Sequence, residues 1–298
     1  MDFARLTIFQ AVARHLSFSK AAEELRLSQP AVSKQVHQLE AELEVRLFHR
    51  MGRRVELTEA GNIVGAYAQE ISVLTEEVRR ALAELEGIER GYLRLGASST
   101  PGLYLVPDLL ARFRREYPGV ETSLVITNSA DVARRVGAGE MDLGFVGAAP
   151  EIPGLLIRKF ADDEIVLIVP VGHTLARRRK LAPELLGSEV LIVRELGSAT
   201  RQIAEANLAR LGVSPRQVME MSGSEAVKRA VAAGLGIAFV SRHAIALEVG
   251  HKLVAVPAIP GLRFPRPLFR ITRKDARSSA ASLAFLELIE RQDGLAAR

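Results

Sequence analysis

The stretch from Ser19 to Leu47, SKAAEELRLSQPAVSKQVHQLEAELEVRL, leaves a chain few ways to fold. It draws two short amphipathic helices with a tight break between them. The first runs from about Ser19 to Arg26, with Ala22 and Leu25 facing inward. Ser28 offers a side-chain oxygen to the exposed N–H groups of a second helix, and Pro30 fits a first turn, where no N–H is needed. Val32, Val36, Leu39 and Leu43 then follow at 4-3-4 spacing, one face of a helix. The opposite face, Gln29, Pro30, Ser33, Lys34 and His37, is short, polar and partly cationic. Such a face suits a helix whose N-terminal residues reach base edges and phosphates in a major groove. Taken alone, the stretch also fits a helical hairpin with a solvated polar face.

The next segment decides between the two. From Val45 to Val55 stand Arg46, Arg50, Arg53, Arg54 and His49, with no acidic residue. Met51-Gly52 predicts the turn of a β-hairpin whose packed arms are Leu47-Phe48 and Val55-Leu57. A basic hairpin directly after two such helices is a wing, placed to reach phosphates or the minor groove beside a reading helix. The expectation is an all-α winged helix-turn-helix that binds double-stranded DNA. Its candidate contacts are Ser28, Gln29, Pro30, Ala31, Ser33, Lys34 and His37 on the helix, with Arg50, Arg53 and Arg54 on the wing.

Composition narrows the rest. With 298 residues and 48% hydrophobic content the chain can hold two or three modest cores. The absence of Cys excludes disulfides, thiolate metal sites and cysteine nucleophiles. No apolar run approaches the roughly 20 residues of a membrane span, and MDFARLTIFQ reads as the start of a helix and not as a signal peptide. The expectation is a cytoplasmic protein with no membrane partner. The formal charge of +5 permits a polyanionic partner. Residues 1–58 carry nine Lys and Arg against seven Asp and Glu, so the head is only +2 and its useful charge is local, in the wing.

The pattern Phe18-x-x-Ala21-Ala22-x-x-Leu25-x-x-Ser28-Gln29-Pro30-Ala31-Val32-Ser33, then Leu39-Glu40-x-x-Leu43-x-x-x-Leu47-Phe48-x-Arg50 and Leu57-Thr58-x-Ala60-Gly61, resembles the head of LysR-type transcriptional regulators. The match is dense over about sixty residues. One departure stands out: after Leu43 the family usually places Gly, and this chain has Glu44. A glycine there suits a left-handed helix end, which Glu adopts only at a cost.

Upstream, residues 2–16 read as a helix that Asp2 caps, with Leu6, Phe9 and Ala13 inward. Downstream, Thr58 is placed to cap a long helix running to about Ile88. In it Ala60, Val64, Tyr67, Ile71, Leu74, Val78, Ala81, Leu85 and Ile88 recur at alternating steps of 4 and 3. That period marks a coiled-coil seam over roughly 45 Å and favours a homodimer; the alternative is a helix packed on its own domain. The resemblance likewise implies that this linker is the dimer contact, and it further implies a homotetramer on interrupted inverted repeats. RNA polymerase is a further candidate partner.

Gly87 to Gly91 breaks the seam, and strand and helix patterns then alternate to the end. Strands are expected at Leu93–Gly96, Thr122–Ile126, Asp142–Val146, Ile165–Val169, Val190–Val193, Ile237–Val240 and Leu268–Ile271. Helices are expected at Leu103–Tyr117, Ala130–Ala138, Ala199–Leu211, Glu225–Ala233 and Ser282–Arg291. This alternation implies open, largely parallel sheets that bind ligands at the carboxyl ends of strands. Gly96-Ala97-Ser98, Tyr117-Pro118-Gly119, Gly139 to Gly144 and Val231 to Ile237 are similar to the family's effector domain. That resemblance implies two α/β lobes like those of type 2 periplasmic binding proteins. The chain would cross between them near Phe160–Asp163 and Leu262–Pro267. The expected division is 1–58 for the head, 59–89 for the linker and 90–298 for the effector domain, with lobe I at about 90–161 and 268–298 and lobe II at about 162–267.

Three segments put hydroxyls or amides where strands give way to helices: Ser98-Ser99-Thr100, Thr127-Asn128-Ser129 and Gly197-Ser198-Ala199-Thr200-Arg201. Helix N-termini present free N–H groups to oxyanions, and Arg201 adds a fork-shaped cation. Gly147, just past a strand, joins Ser98, Ser99, Thr100, Thr127, Asn128, Ser129, Ser198, Thr200 and Arg201 as a candidate effector contact. The plain alternative for each is a helix cap without a ligand, and for Arg201 a surface ion pair. His173 is either a cleft or a packed loop residue. The Gly197–Arg201 stretch is similar to regulators of carbon fixation or sulfur assimilation, which points to a small anionic metabolite. No GxGxxG, P-loop, HExxH or GxSxG motif occurs, so no catalytic residue, metal or cofactor is expected. The reading is a ligand-responsive transcriptional regulator. The alternative is an α/β-lobed enzyme or solute-binding protein with an accessory DNA-binding head.

Overall fold

The computed structural model describes residues 2–51, 54–84, 91–178, 184–258, 261–274 and 278–296. The chain divides into two units, Met1–Leu82 and Ala83–Arg298, each with its own buried core.

In the first unit, helices α1 (Phe3–His15), α2 (Phe18–Leu25) and α3 (Gln29–Leu43) precede a hairpin of β1 (Phe48–Met51) and β2 (Arg54–Leu57), then helix α4 (Glu59–Glu84). Asp2, Ser17 and Ser28 cap the three helices by accepting from the N–H groups of Ala4, Lys20 and Ala31. Leu6, Phe9, Ala22, Val32, Val36 and Leu39 are buried as expected, with Ala13 and Leu25 at the rim of the same core. Phe48 from the first wing strand completes that core, its ring 5.3 Å from Phe9 and 5.6 Å from Phe18. The ladder pairs Met51 with Arg54, so Met51 is a strand residue and not part of the turn, a correction to the sequence reading. Gly52 and Arg53 lie outside the described residues.

The join between wing and α4 explains the Leu57-Thr58-x-Ala60-Gly61 pattern. Thr58 donates its hydroxyl to the Arg46 carbonyl (2.6 Å) and accepts from the Gly61 N–H (2.9 Å), capping α4 and tying it to the segment after α3. A Cβ on Gly61 would stand 2.1 Å from the Leu47 carbonyl oxygen, so only glycine permits this approach. Along α4, Ala60, Val64 and Ile71 pack against the head core, while Tyr67, Leu74 and Val78 are exposed. The expected seam therefore splits into an inward row and an outward row, and Ile63 joins the outward one. The Ala81 side chain, Leu85 and Ile88 fall outside the described residues.

The second unit runs β3 (Gly91–Ser98), α5 (Ser99–Tyr104), α6 (Val106–Glu116), β4 (Val120–Thr127), α7 (Ser129–Gly137), β5 (Leu143–Val146) and β6 (Leu155–Pro170). It continues with α8 (Glu184–Gly187), β7 (Val190–Arg194), α9 (Ala199–Arg210), β8 (Gln217–Met221), α10 (Ser224–Ala232), β9 (Ile237–Ser241), α11 (Ala246–Gly250), β10 (Val254–Ala255), β11 (Arg263–Arg273) and α12 (Ala280–Ala296). The strand order is β4-β3-β5-β11-β6-β9-β7-β8, with β10 on β6. The sheet is mixed and not largely parallel: β3–β4, β3–β5, β7–β8 and β7–β9 are parallel, whereas β11 and β6 run antiparallel to their neighbours. β11 pairs with β6 along its whole length, from Arg263 opposite Val166 to Arg273 opposite Leu155. These two strands are the two crossings between lobes, and a register shift at Leu268/Phe269 marks the place where the ladder bends.

One lobe closes over Phe113, Phe145 and Phe285, all fully buried, and the other over Ile165, Leu167, Leu191, Phe239 and Phe264. The single helix expected at 103–117 is two, α5 and α6, broken at Leu105. Pro107 lacks an N–H and its ring collides with the carbonyl four residues back, which ends α5 before α6 can begin.

Glu44 sits in the left-handed region at φ 55°, its N–H donating to the Glu40 carbonyl. A non-glycine residue there costs about 1–2 kcal/mol. Glu44→Gly is expected to stabilise the chain by about 1 kcal/mol in urea denaturation, and an unchanged or lower midpoint would refute that account of the turn.

Candidate functional site

On the head, α3 buries Val32, Val36 and Leu39 and turns Ser28, Gln29, Pro30, Lys34 and His37 outward, with Ala31 and Ser33 half-buried. The backbone of Arg50 lies in β1 and that of Arg54 in β2, while Arg53 lies outside the described residues. What holds this face against the wing is Glu40, a residue the sequence reading quoted without assigning it a role. Its carboxylate is buried and accepts from the Leu47 N–H (2.8 Å) and the Phe48 N–H (3.4 Å). It also meets His37 Nδ1 and Arg46 Nη1, each at 3.2 Å. Burial alone would raise the carboxyl, but the two backbone N–H bonds and the side-chain hydrogen bonds to His37 and Arg46 outweigh it and hold Glu40 below its ordinary value.

In the second unit a cleft opens between the lobes, lined by Ser98, Ser99, Thr100, Asn128, Ser129, Ser198, Ala199 and Thr200. Eight of the ten candidate effector residues therefore come together at it, Gly147 included, since a Cβ on Gly147 would stand 2.9 Å from Arg266 Nη1. Asn128 behaves as a plain cap, its Oδ1 accepting from the Asp131 N–H at 2.9 Å. Ser98 and Ser198 do not: both occupy N-cap positions without a side-chain bond to the helix they precede. Two buried hydroxyls at helix N-termini are thus left facing the cleft.

Two residues that the sequence reading missed dominate the cleft. Arg194, at the end of β7, and Arg266, in β11, are both buried. Arg266 donates to Asp163 through Nε (3.0 Å) and Nη2, to Thr200 through Nη1 (3.0 Å) and to Thr100 through Nη2 (3.1 Å). It therefore joins one hydroxyl from each lobe to a carboxylate on the crossing strand. Arg194 does the same with Ser99 (3.1 Å) and Ser224 (2.6 Å), held by Glu195 on the other side. Burial pulls the Arg266 guanidinium below its ordinary value, with Asp163 opposing that shift and Arg194 adding to it. Glu195 lies below its usual range because hydrogen bonds from Arg194 and the Gly223 N–H overcome its burial.

Two candidates stand apart. Arg201 turns away from the cleft to Glu205 (2.8 Å) and Glu220 (2.6 Å), with a further bond to the Arg194 carbonyl, which is the surface-ion-pair alternative. Thr127 ends β4 and does not line the cleft. His173 caps a short 3-10 turn and lies 3.4 Å from Glu189, the packed-loop alternative.

A second cross-lobe contact sits beside the cleft. Tyr104, on α5, donates to Glu225 (2.9 Å) and accepts from Lys228 Nζ (3.2 Å), while Lys228 also reaches Glu248 (2.6 Å) and the Ala244 carbonyl (2.7 Å). Between these latches the free space is about 10 Å³, room for one water. A metabolite can enter only if the arginines rearrange or the lobes part.

Residues 3–62 match the family model described as "Bacterial regulatory helix-turn-helix protein, lysR family", and residues 86–294 match "LysR substrate binding domain". The chain is 38% identical to the "RuBisCO operon transcriptional regulator" of Allochromatium vinosum, over 97% of this chain and 95% of that protein. Among solved structures it is similar to the regulatory domain of Synechocystis CcmR in complex with 2-PG, at 30% identity and TM-score 0.64 over 68% of this chain and 97% of that one. It is also similar to full-length CbnR complexed with its target DNA, at 25% identity and TM-score 0.69 over 98% of this chain and 99% of that one. Among the described residues no helix is long and apolar enough to cross a membrane.

Because the folded-state value of Glu40 is depressed, its contribution to stability is fully present above the ordinary value of 4.5 and is lost as the pH falls through the folded value. Glu40→Gln is expected to lower urea stability at pH 7 by about 1–3 kcal/mol. The gap to wild type should shrink below about pH 4.5; a gap independent of pH would show that the charge is not what matters.

Proposed function

Because the chain belongs to the LysR family of ligand-responsive transcriptional regulators, we propose that it binds interrupted inverted repeats in promoter DNA and responds to a small anionic metabolite held between its lobes. The observation that carries the effector half is the placement of Arg194 and Arg266 among hydroxyls from both lobes. Guanidinium groups with hydroxyls and helix N-termini around them recognise carboxylate or phosphate oxygens. Ser98, Ser99, Thr100, Asn128, Ser129, Gly147, Ser198 and Thr200 form the proposed contact set with these arginines, and Arg201 and Thr127 leave it. A solved relative's regulatory domain is described with 2-PG, which makes 2-PG the first effector to try.

For DNA, the exposed Gln29, Pro30, Lys34 and His37 supply groove contacts and Arg50, Arg53 and Arg54 supply wing contacts to phosphate. We divide the chain into a head at 1–58, a linker at 59–89 and lobes exchanging near 162 and 267. The outward row Ile63, Tyr67, Leu74 and Val78 supports a homodimer through the linker, since four exposed apolar side chains on one helix face seek cover. Assembly into a homotetramer, contact with RNA polymerase and a cytoplasmic location complete the reading, with no cofactor and no catalytic residue.

The test is binding of the full chain to its own upstream DNA at two salt concentrations, with and without 2-PG. Expected are affinity that falls steeply as salt rises and a 2-PG response that Arg194→Gln abolishes. Salt-dependent binding that Arg194→Gln leaves responsive would overturn the cleft assignment, and absence of specific binding would overturn the whole reading. Lys34→Ala should weaken binding to all sequences alike if it touches phosphate, and should change base preference if it reads an edge. An effect of neither kind would mean that the exposed face of α3 is not the reading face.

A further inference from the structure

Lobe I carries a second pocket that shares no residue with the cleft. Its floor is the ladder between β6 and β11, where Arg270 lies directly opposite Arg158 and Thr272 opposite Leu156. Alternation along each strand puts these four on one face, and α12 presents Leu283, Leu286 and Glu290 above them, at the helical spacing of one stripe.

Two guanidinium groups placed opposite each other in a ladder repel, and Glu290 compensates only in part. It accepts from Arg270 Nη2 at 2.6 Å and stands 4.0 Å from Arg158 Nη1. Arg270 holds its carboxyl below the ordinary range. Arg270 itself is only 8% exposed, yet its Nη1 is buried with no hydrogen-bond partner among the described residues. A buried donor with no acceptor is a standing cost that a fold seldom carries without a use. Leu156 and Leu283 are 45% and 49% exposed, so the pocket has an apolar side as well. Its volume, about 290 Å³, is close to the lower bound for small-molecule sites.

We propose that this pocket is a second ligand site, separate from the cleft, for a small organic anion. When the Arg270 guanidinium turns toward the pocket it lines, one oxyanion group accepts from Arg270 Nη1 and from Arg158, and an apolar body lies against Leu156, Leu283 and Leu286. An inorganic ion would satisfy the arginines and leave the leucines uncovered. An uncharged apolar molecule would do the reverse. The site therefore selects for both features on one molecule.

The test uses the full chain and three probes, hexanoate, inorganic phosphate and 1-hexanol, read by calorimetry and saturation-transfer NMR. Hexanoate is expected to bind at least tenfold more tightly than either of the others. Arg158→Ala and Leu283→Asp, both at exposed positions where the fold is not at stake, are each expected to weaken hexanoate binding tenfold or more. Thr200→Ala, which alters the cleft, is expected to leave it unchanged. Hexanoate binding that survives both pocket variants, or that Thr200→Ala removes, would overturn the proposal. So would a Leu283→Asp variant that changes the oligomeric state while hexanoate binding stays intact, because the face would then be a contact between copies of the chain.

Discussion

The second unit depends on one ion pair, Arg266 with Asp163, set in register on the two strands that pass between the lobes. Both side chains are almost wholly out of water. Taking two charges into such a place costs more than their attraction returns unless further hydrogen bonds complete their valences. Here they do: Ser241 donates to Asp163, and Thr100 and Thr200 accept from Arg266. The pair therefore contributes little net stability and a great deal of definition. It fixes where β11 meets β6, and through the two threonines it fixes how far apart the lobes stand. Removing one partner would strand the other, a loss of about 3–5 kcal/mol, which is why the surrounding hydroxyls matter as much as the charges.

The head solves a related problem with one charge. The recognition-like helix α3 ends in a left-handed turn at Glu44, and the chain must then enter β1 at a defined angle. Glu40 reaches past that turn to take the Leu47 and Phe48 N–H groups, and Thr58 with Gly61 closes the loop from the other side through the Arg46 and Leu47 carbonyls. A helix surface meant to lie in a groove needs its wing held at a constant offset. Fixed backbone hydrogen bonds give that offset better than side-chain packing alone.

What the sequence disclosed and what it hid follow from the range of the interactions. The helices of the head were legible because Ser28, Pro30 and the 4-3-4 spacing from Val32 act within one or two turns. The βα alternation of the second unit was legible for the same reason, as were the segments around Ser98, Asn128 and Ser198. The edge strand β8 was not, because Gln217, Val218 and Glu220 are exposed and carry no buried stripe. The full lengths of β6 and β11 were hidden by Asp162, Asp163, Pro265 and Pro267, which read as breakers. The prolines are tolerated because β11 has β6 on one side there and pairs with β5 only from Phe269 onward. Arg201 drew attention by standing in a conspicuous stretch, whereas Arg194 just follows an expected strand and Arg266 stands between two prolines, with no local pattern that marks either as a cleft residue. Only contacts 66 to 166 residues apart in the chain reveal that they share a cleft.

Those same contacts set the terms on which a ligand can act. The lobes are joined by the Arg194–Ser99 bond, the two threonine bonds of Arg266 and the Tyr104 contacts to Glu225 and Lys228. A molecule that bound both lobe arrangements equally well would favour neither, however tightly it held. Reversing a two-state balance from 1:99 to 99:1 takes about 5.5 kcal/mol of differential binding. Hydrogen bonds to charged groups contribute about 1.5–3 kcal/mol each, so about two to four such bonds made in one arrangement and absent from the other supply that difference. An anion that draws Arg194 and Arg266 away from their hydroxyls would part the lobes, and one that bridges the free Ser98 and Ser198 hydroxyls would hold them together. The direction of the response is therefore decided by which of these sets the ligand satisfies, and not by its net charge alone.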